Sequence, residues 1–301
     1  MSDIFFLFKK KLYISATFII YTEKQTKKEL NMAILSEDKK LLSYKSMLAF
    51  PNVTCFTTTR FGGVSEGNYG SLNCGIYTDD DPEKIKQNLE IVSNALPVRP
   101  AVLAIPHLAH STDYAHLGRS FLKASEEERR ERLEKKDILM TREKGICVCV
   151  TSADCLPIAI YDAKNEAVCI VHAGWRGTVN HVTLTALQKM QQKFDTQPED
   201  VHIVVGPGIS LAGFEVGDEV YDEFMNSGYP IELVAEWVPR SHKYHINLWV
   251  ANRIDMQEFG VPTSQIEMSG ICTYLRYQEF FSVRRLTRDS GRLLTGIMLN
   301  K

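Results

Sequence analysis

The chain has 301 residues, of which 44% are hydrophobic and 24% charged, with a formal net charge of −2. That is enough apolar material for a sizeable core, and it excludes both a charge-dominated disordered chain and a nucleic-acid binder that works through a basic surface. Seven cysteines, an odd number with no C-x-x-C pair, argue against a disulfide framework and for a reducing, cytoplasmic setting.

At the amino terminus, Lys9, Lys10 and Lys11 precede "LYISATFIIY", an apolar run of about ten residues that is too short to cross a bilayer and is followed by no A-x-A-like cleavage site. Met32 offers an alternative start, so residues 1–31 read as a non-native or disordered extension and residues 32–301 as a single compact domain. No other stretch approaches membrane length, so stable membrane insertion is not expected.

From Val53, "VTCFTTTRFGGVSEGNYG" predicts a strand running into a glycine-punctuated loop. Asp81 and Pro82 fit the N-cap and first position of a helix whose Ile85, Leu89, Val92 and Leu96 share one face. "AVLAIP" (101–106) predicts a short buried strand ended by Pro106, which leaves His107 and His110 on a strand-end loop. "KASEEERRERLEKK" (123–136) predicts a solvated helix without a binding role. "ICVCVTSADCLPIAIYD" holds two apolar runs around a polar break, "EAVCIVHAGW" holds a third, and Val179, Val182, Ala186, Leu187, Met190 and Phe194 mark a helix. "VHIVVGPGIS", "DEVYDEFMNSG" and "YHINLWVANRIDMQEFGV" continue the alternation, and "FFSVRRLTRDSGRLLTGIML" reads as a closing strand pair. Adjacent apolar runs without intervening helices point to a mixed sheet and away from a doubly wound parallel one.

Cys155 sits at the polar break between Asp154 and Leu156, whereas Cys147, Cys149 and Cys169 alternate inside apolar runs as core cysteines do. His172 ends one such run, where a strand delivers its side chain to a loop. Joined by His110 from another strand end, a His, Cys, His set suits zinc: thiolate and imidazole match its softness, and three protein ligands leave a fourth position open. A nucleophile and base pair of Cys155 and His172 is the competing reading, and spacing does not separate the two. A multicopper oxidase fails on counting, since the chain has eight histidines and no H-x-H pair. Arg60, Arg176, Arg284 and Arg285 stand where a guanidinium can hold a phosphate or carboxylate, or form a plain surface ion pair. "GPGIS" (206–210) reads as a tight turn ahead of an anion-binding nest.

Together, "TTRFGGVSEGNYGSLNCG", "HS" at 110–111, "TSADCLPIAIYD", "VHAGWRGT", "GPGIS" and "FFSVRR" resemble the laccase-domain family in order and context, over about residues 40–300. That family was first named for polyphenol oxidase activity and is now described as zinc-dependent purine nucleoside phosphorylases. The resemblance implies an α+β fold with a mixed β-sheet flanked by helices, and one zinc held by His110, Cys155 and His172, with copper bound only on loading and polyphenol oxidation as a side activity. It implies purine nucleosides and inorganic phosphate as partners, with phosphorolysis of adenosine, inosine and methylthioadenosine and deamination of adenosine. The family's glutamine two residues before its first histidine is Leu108 here, which removes an amide beside the ligand, and His107 is the rival for that ligand position. Arg60, with Arg176 or Arg284, is expected to hold phosphate or ribose. Asp154 is read as a proton carrier or a turn-stabilising residue, and Asn73 as a substrate contact or a loop cap. A metal-stabilised binding protein without turnover is the non-enzymatic alternative.

Overall fold

The computed structural model describes residues 33–300; the amino-terminal segment 1–31, read from the sequence as an extension, lies outside the described residues. Two six-stranded sheets form the framework. The first runs in the order β1 (Ala33–Leu35), β2 (Leu41–Tyr44), β3 (Val53–Thr58), β15 (Leu293–Leu299), β7 (Ile146–Ser152) and β4 (Val102–Ala104). The second runs β14 (Ile266–Met268), β10 (Val201–Val205), β8 (Leu156–Asp162), β9 (Ala167–Ala173), β6 (Ile138–Thr141) and β5 (Tyr114–His116). Both are mixed: β4 pairs with β7, β10 with β14 and β5 with β6 in parallel, and the remaining pairs are antiparallel. A small third sheet of β11 (Glu215–Val216), β13 (Lys243–Ile246) and β12 (Ala235–Val238) is inserted between β10 and β14 in the chain.

The expected mixed sheet flanked by helices is present, but as a pair of sheets sharing one core. The reason lies in strands such as β7, β8 and β9, which are buried at every position, and a strand without a wet face needs cover on both sides. Along β7, Ile146, Val148 and Val150 enter the core between the sheets, where they meet Leu139, Ala159, Tyr161 and Ile170 of the second sheet. Cys147 and Cys149 point the other way, under Val92 of the helix at Pro82–Ala95 and its C-cap Leu96. On the far side of the second sheet, Cys169 and Val171 pack beneath Ala186, Leu187 and Met190 of the helix Val182–Phe194. The layers are therefore helix, sheet, sheet, helix.

Local signals hold where they are chemical. Asp81 accepts from the Glu83 N–H at 2.9 Å and Pro82 opens the helix, as the missing proline donor allows. The charged run folds as the helix Glu126–Leu133, closed by a reciprocal Ser125–Glu128 capping box, and buries only Leu133. The closing strand pair is corrected: "SVRRL" forms a short helix, Val283–Leu286, because the Ser282 hydroxyl accepts from the Arg285 N–H at 3.2 Å, and β15 alone follows it. Among the described residues no helix is long and apolar enough to cross a membrane.

Candidate metal centre

Three strand ends meet at one point. His110 lies on the loop after β4 in a left-handed conformation (φ 58°), Cys155 lies in the turn joining β7 to β8, and His172 lies near the end of β9 opposite Pro157. Their ligand atoms fall within 4.8 Å of one another, and the two imidazole rings are edge to face with centroids 4.9 Å apart. His172 is buried, Cys155 half-buried and His110 exposed, so the cluster has a closed floor and one open side.

The floor is organised by Asp137, which no sequence motif singled out. It is fully buried just ahead of β6. Its Oδ1 accepts from His172 Nδ1 at 2.8 Å and from the His110 N–H at 3.1 Å. Its Oδ2 accepts from the Ser111 N–H at 2.8 Å, the Ser111 hydroxyl at 3.0 Å and the Ala109 N–H at 3.1 Å. Burial works against ionisation of this carboxyl, but the bonds from His172, Ser111 and Ala109 outweigh it and hold the group below the usual carboxylate range. With Nδ1 of His172 turned to Asp137, the other ring nitrogen faces the cluster.

Burial likewise opposes a charged Cys155, yet the two neighbouring histidines prevail and pull the thiol down; Cys155 and Asp137 in turn push His172 up. Sulfur here is therefore poised as thiolate, the form that binds metal or attacks carbon. Gly174 closes the cradle: a Cβ there would sit 2.9 Å from Cys155 Sγ and 3.0 Å from His110 Cδ2. Thiolate and two imidazoles, converging within 4.8 Å with one side open, are a donor set that fits a metal ion with an exchangeable position.

A family model described as "Multi-copper polyphenol oxidoreductase laccase" matches residues 54–300. The chain belongs to that family. The chain is 44% identical over 270 residues to the "Purine nucleoside phosphorylase" of Bacteroides thetaiotaomicron, covering 90% of this chain and all of that one. It is 34% identical over 245 residues to "Adenosine deaminase RL5" from an unknown prokaryotic organism, covering 81% and 93% of the two chains. The crystal structure of the hypothetical protein YfiH from Bacillus licheniformis superposes with a TM-score of 0.82 at 26% identity, over 90% of this chain and all of that one.

The other residues marked in the sequence fall into two groups. Asn73 is fully buried with both ends of its amide engaged: Nδ2 donates to Thr78 Oγ1 and Asp80 Oδ2, and Oδ1 accepts from the Gly75 and Arg292 N–H groups. These four bonds commit its amide to the 73–80 loop and to the start of β15. Arg60 is likewise directed inward, onto the Gly70 and Tyr277 carbonyls and the Phe281 ring. Arg176 and Arg284 are exposed residues whose guanidiniums lie over Trp175 and Phe214 respectively, and Arg284 Nη1 also donates to the Glu215 carbonyl at 2.7 Å. Asp154 accepts from the Thr273 hydroxyl and from the Arg284 N–H, both at 2.7 Å, and so ties the short helix at Val283 to the cysteine turn.

His107 pairs with Glu134 at 3.0 Å and stands beside Tyr77, outside the cluster. Leu108 packs against the core between the sheets. The "GPGIS" amides of Gly206, Gly208 and Ile209 donate to the carbonyls of Pro157, Ile271 and Asp154, which makes it a packed turn with no anion nest. Arg292, also missed, lies beside Leu293, which pairs with Ser152 across β15 and β7. Burial lowers its pKa against the pull of the Cys155 and Asp154 charges.

Proposed function

We propose that the chain is a cytoplasmic, zinc-dependent purine nucleoside phosphorylase that takes adenosine, inosine and methylthioadenosine with inorganic phosphate, and that it also deaminates adenosine. The observation that carries this reading is the convergence of His110, Cys155 and His172 within 4.8 Å in a chain 44% identical to a protein named purine nucleoside phosphorylase. The relative named adenosine deaminase supports the second activity. One thiolate and two imidazoles favour zinc, and the eight histidines without an H-x-H pair speak against the several copper ions in the family's description. All seven cysteines are free, which supports a reducing compartment.

A zinc ion held by His110, Cys155 and His172 would supply Lewis acidity and would acidify water at the open position. In phosphorolysis a phosphate oxygen bonds to ribose C1′ while the C1′–N9 bond breaks, and the purine leaves with the electron pair and takes a proton. In deamination water adds at purine C6 and ammonia leaves. We assign phosphate or ribose contact to Arg176 and Arg284, exposed residues whose guanidiniums lie over Trp175 and Phe214. Arg60, directed at backbone carbonyls, keeps the 60–71 loop closed. Asp154, with both oxygens engaged, places Arg284 beside the cysteine turn.

The test is ribose 1-phosphate formation from adenosine by zinc-loaded protein, with and without inorganic phosphate. The reading requires that product only with phosphate, and inosine from adenosine in both conditions; no ribose 1-phosphate in either condition contradicts it.

One observation favours a second reading. Asp137, His172 and Cys155 also stand in the order of an acid, base and thiol triad, which is how a thiol hydrolase is built. That reading requires metal-free activity lost on alkylation of Cys155, and it leaves His110 without a role.

A further inference from the structure

We propose that Asp137 is the positioning residue that presets both imidazole ligands of the metal centre, fixing which nitrogen His172 offers and where the His110 loop stands. The inference rests on the metal reading above. Its basis is a chemical match: all five groups around the carboxylate are donors, namely His172 Nδ1, the Ser111 hydroxyl and the N–H groups of Ala109, His110 and Ser111. A carboxylate accepts on both oxygens and donates on neither, so it alone satisfies the set. Its own place does not depend on a metal, because the Asp137 N–H donates to Asp113 O at 3.0 Å and the Asp137 carbonyl accepts from the His172 N–H at 2.8 Å.

Two consequences follow for the ligands. With Nδ1–H committed to Asp137, the neutral ring that a metal requires carries its lone pair on Nε2, facing Cys155. The three consecutive amides drawn onto one carboxylate also hold the loop at 109–111 in the turn that gives His110 its φ of 58°. In Asp137→Asn the amide nitrogen must face a donor whichever way it is turned. Facing His172, it donates to Nδ1 and moves the ring proton to Nε2, which closes that nitrogen to metal; facing Ala109 and Ser111, it repels their amides.

Zinc affinity, read by competition with a chromophoric chelator, tests this on wild type, Asp137→Asn and Ser111→Ala, with cobalt(II) spectra for geometry. Asp137→Asn should weaken zinc by about 10–100-fold and shift the cobalt bands, the range seen when an acceptor behind a histidine ligand is lost. Ser111→Ala, which leaves His172 undisturbed, should weaken zinc by less than about tenfold. Nitrogen-edited NMR of the zinc-loaded protein should find the His172 Nδ1–H in wild type and Ser111→Ala, which keeps the proposal testable even if Asp137→Asn does not fold. Ligation of His172 through Nδ1, or wild-type affinity and spectrum in Asp137→Asn, overturns it while leaving the metal reading intact. Wild-type protein that binds no zinc overturns both.

Discussion

His172 Nδ1 donates to Asp137 Oδ1 at 2.8 Å, with both side chains buried. The bond ranks the expected losses, because in the proposed metal centre Cys155 and His172 would contribute ligand atoms whereas Asp137 would act through them. Cys155→Ala and His172→Ala should each cost more zinc affinity than the roughly 100-fold upper range of an outer-sphere change, and phosphorolysis should fall with occupancy. Chelator competition and a phosphate-dependent adenosine assay on the same preparations check the order.

Gly174 gives a purely steric prediction. A methyl group there meets Cys155 Sγ at 2.9 Å and His110 Cδ2 at 3.0 Å, so Gly174→Ala must push two ligands apart. Its backbone is extended (φ −76°, ψ 171°), which any residue adopts, so the fold itself should tolerate the change. Metal content should drop at least about tenfold in line with displaced ligands while the circular dichroism of the metal-free protein stays unchanged. Full metal content in the variant would contradict the cradle geometry.

Asn73→Ala should show the opposite pattern. The fully buried Asn73 makes four bonds; Thr78 and Asp80 keep the Gly75 carbonyl and the Ser65 hydroxyl as partners, so the Gly75 and Arg292 N–H groups are the ones left unpaired, at a cost of about 1–3 kcal/mol. Urea unfolding should shift accordingly with zinc stoichiometry retained. A large loss of substrate affinity at wild-type stability would return Asn73 to the substrate.

The His181 ring supplies a pH prediction. Nδ1 faces Asp255 Oδ1 at 2.8 Å and Nε2 faces the Ser227 carbonyl at 2.9 Å; two acceptors require both nitrogens protonated. The bond to Asp255 leads the shift that raises His181 from 6.5 to about 9. Burial pushes the Asp255 carboxyl up despite the bonds from His181 and Tyr229, so losing the imidazolium leaves a buried carboxylate without its counter-charge. The stabilisation is full below pH 6.5 and is lost as pH rises through about 9, as linkage requires for a raised histidine. Unfolding midpoints should fall across that interval in wild type. His181→Asn, which suits the left-handed backbone here (φ 53°), should make the dependence shallower, leaving the part that comes from His172, which is also raised.

What the sequence made legible were features with local causes. The helix at Pro82–Ala95 is written in its cap and apolar face, and Cys155 separates from Cys169 because one stands at a polar break and the other within an apolar run. His172 stood out as the residue that ends an apolar run, and His110 as one on the loop after a strand. Asp137 did not, since it follows Lys135 and Lys136 at the end of a charged run, and its key partner is 35 residues away. Asn73 was ambiguous for the same reason, one of its donors being the Arg292 amide 219 residues on. The division into two sheets was hidden because β15 returns from the carboxyl-terminal end of the described chain to pair with β3 near its start and with β7 in its middle, and no local pattern encodes that return.

Zinc per chain, measured on purified wild type and Cys155→Ala, bears most directly on the central claim. A metal centre built by His110, Cys155 and His172 predicts close to one zinc per wild-type chain and almost none in the variant. Zinc retained by Cys155→Ala together with phosphate-dependent cleavage of adenosine would contradict it.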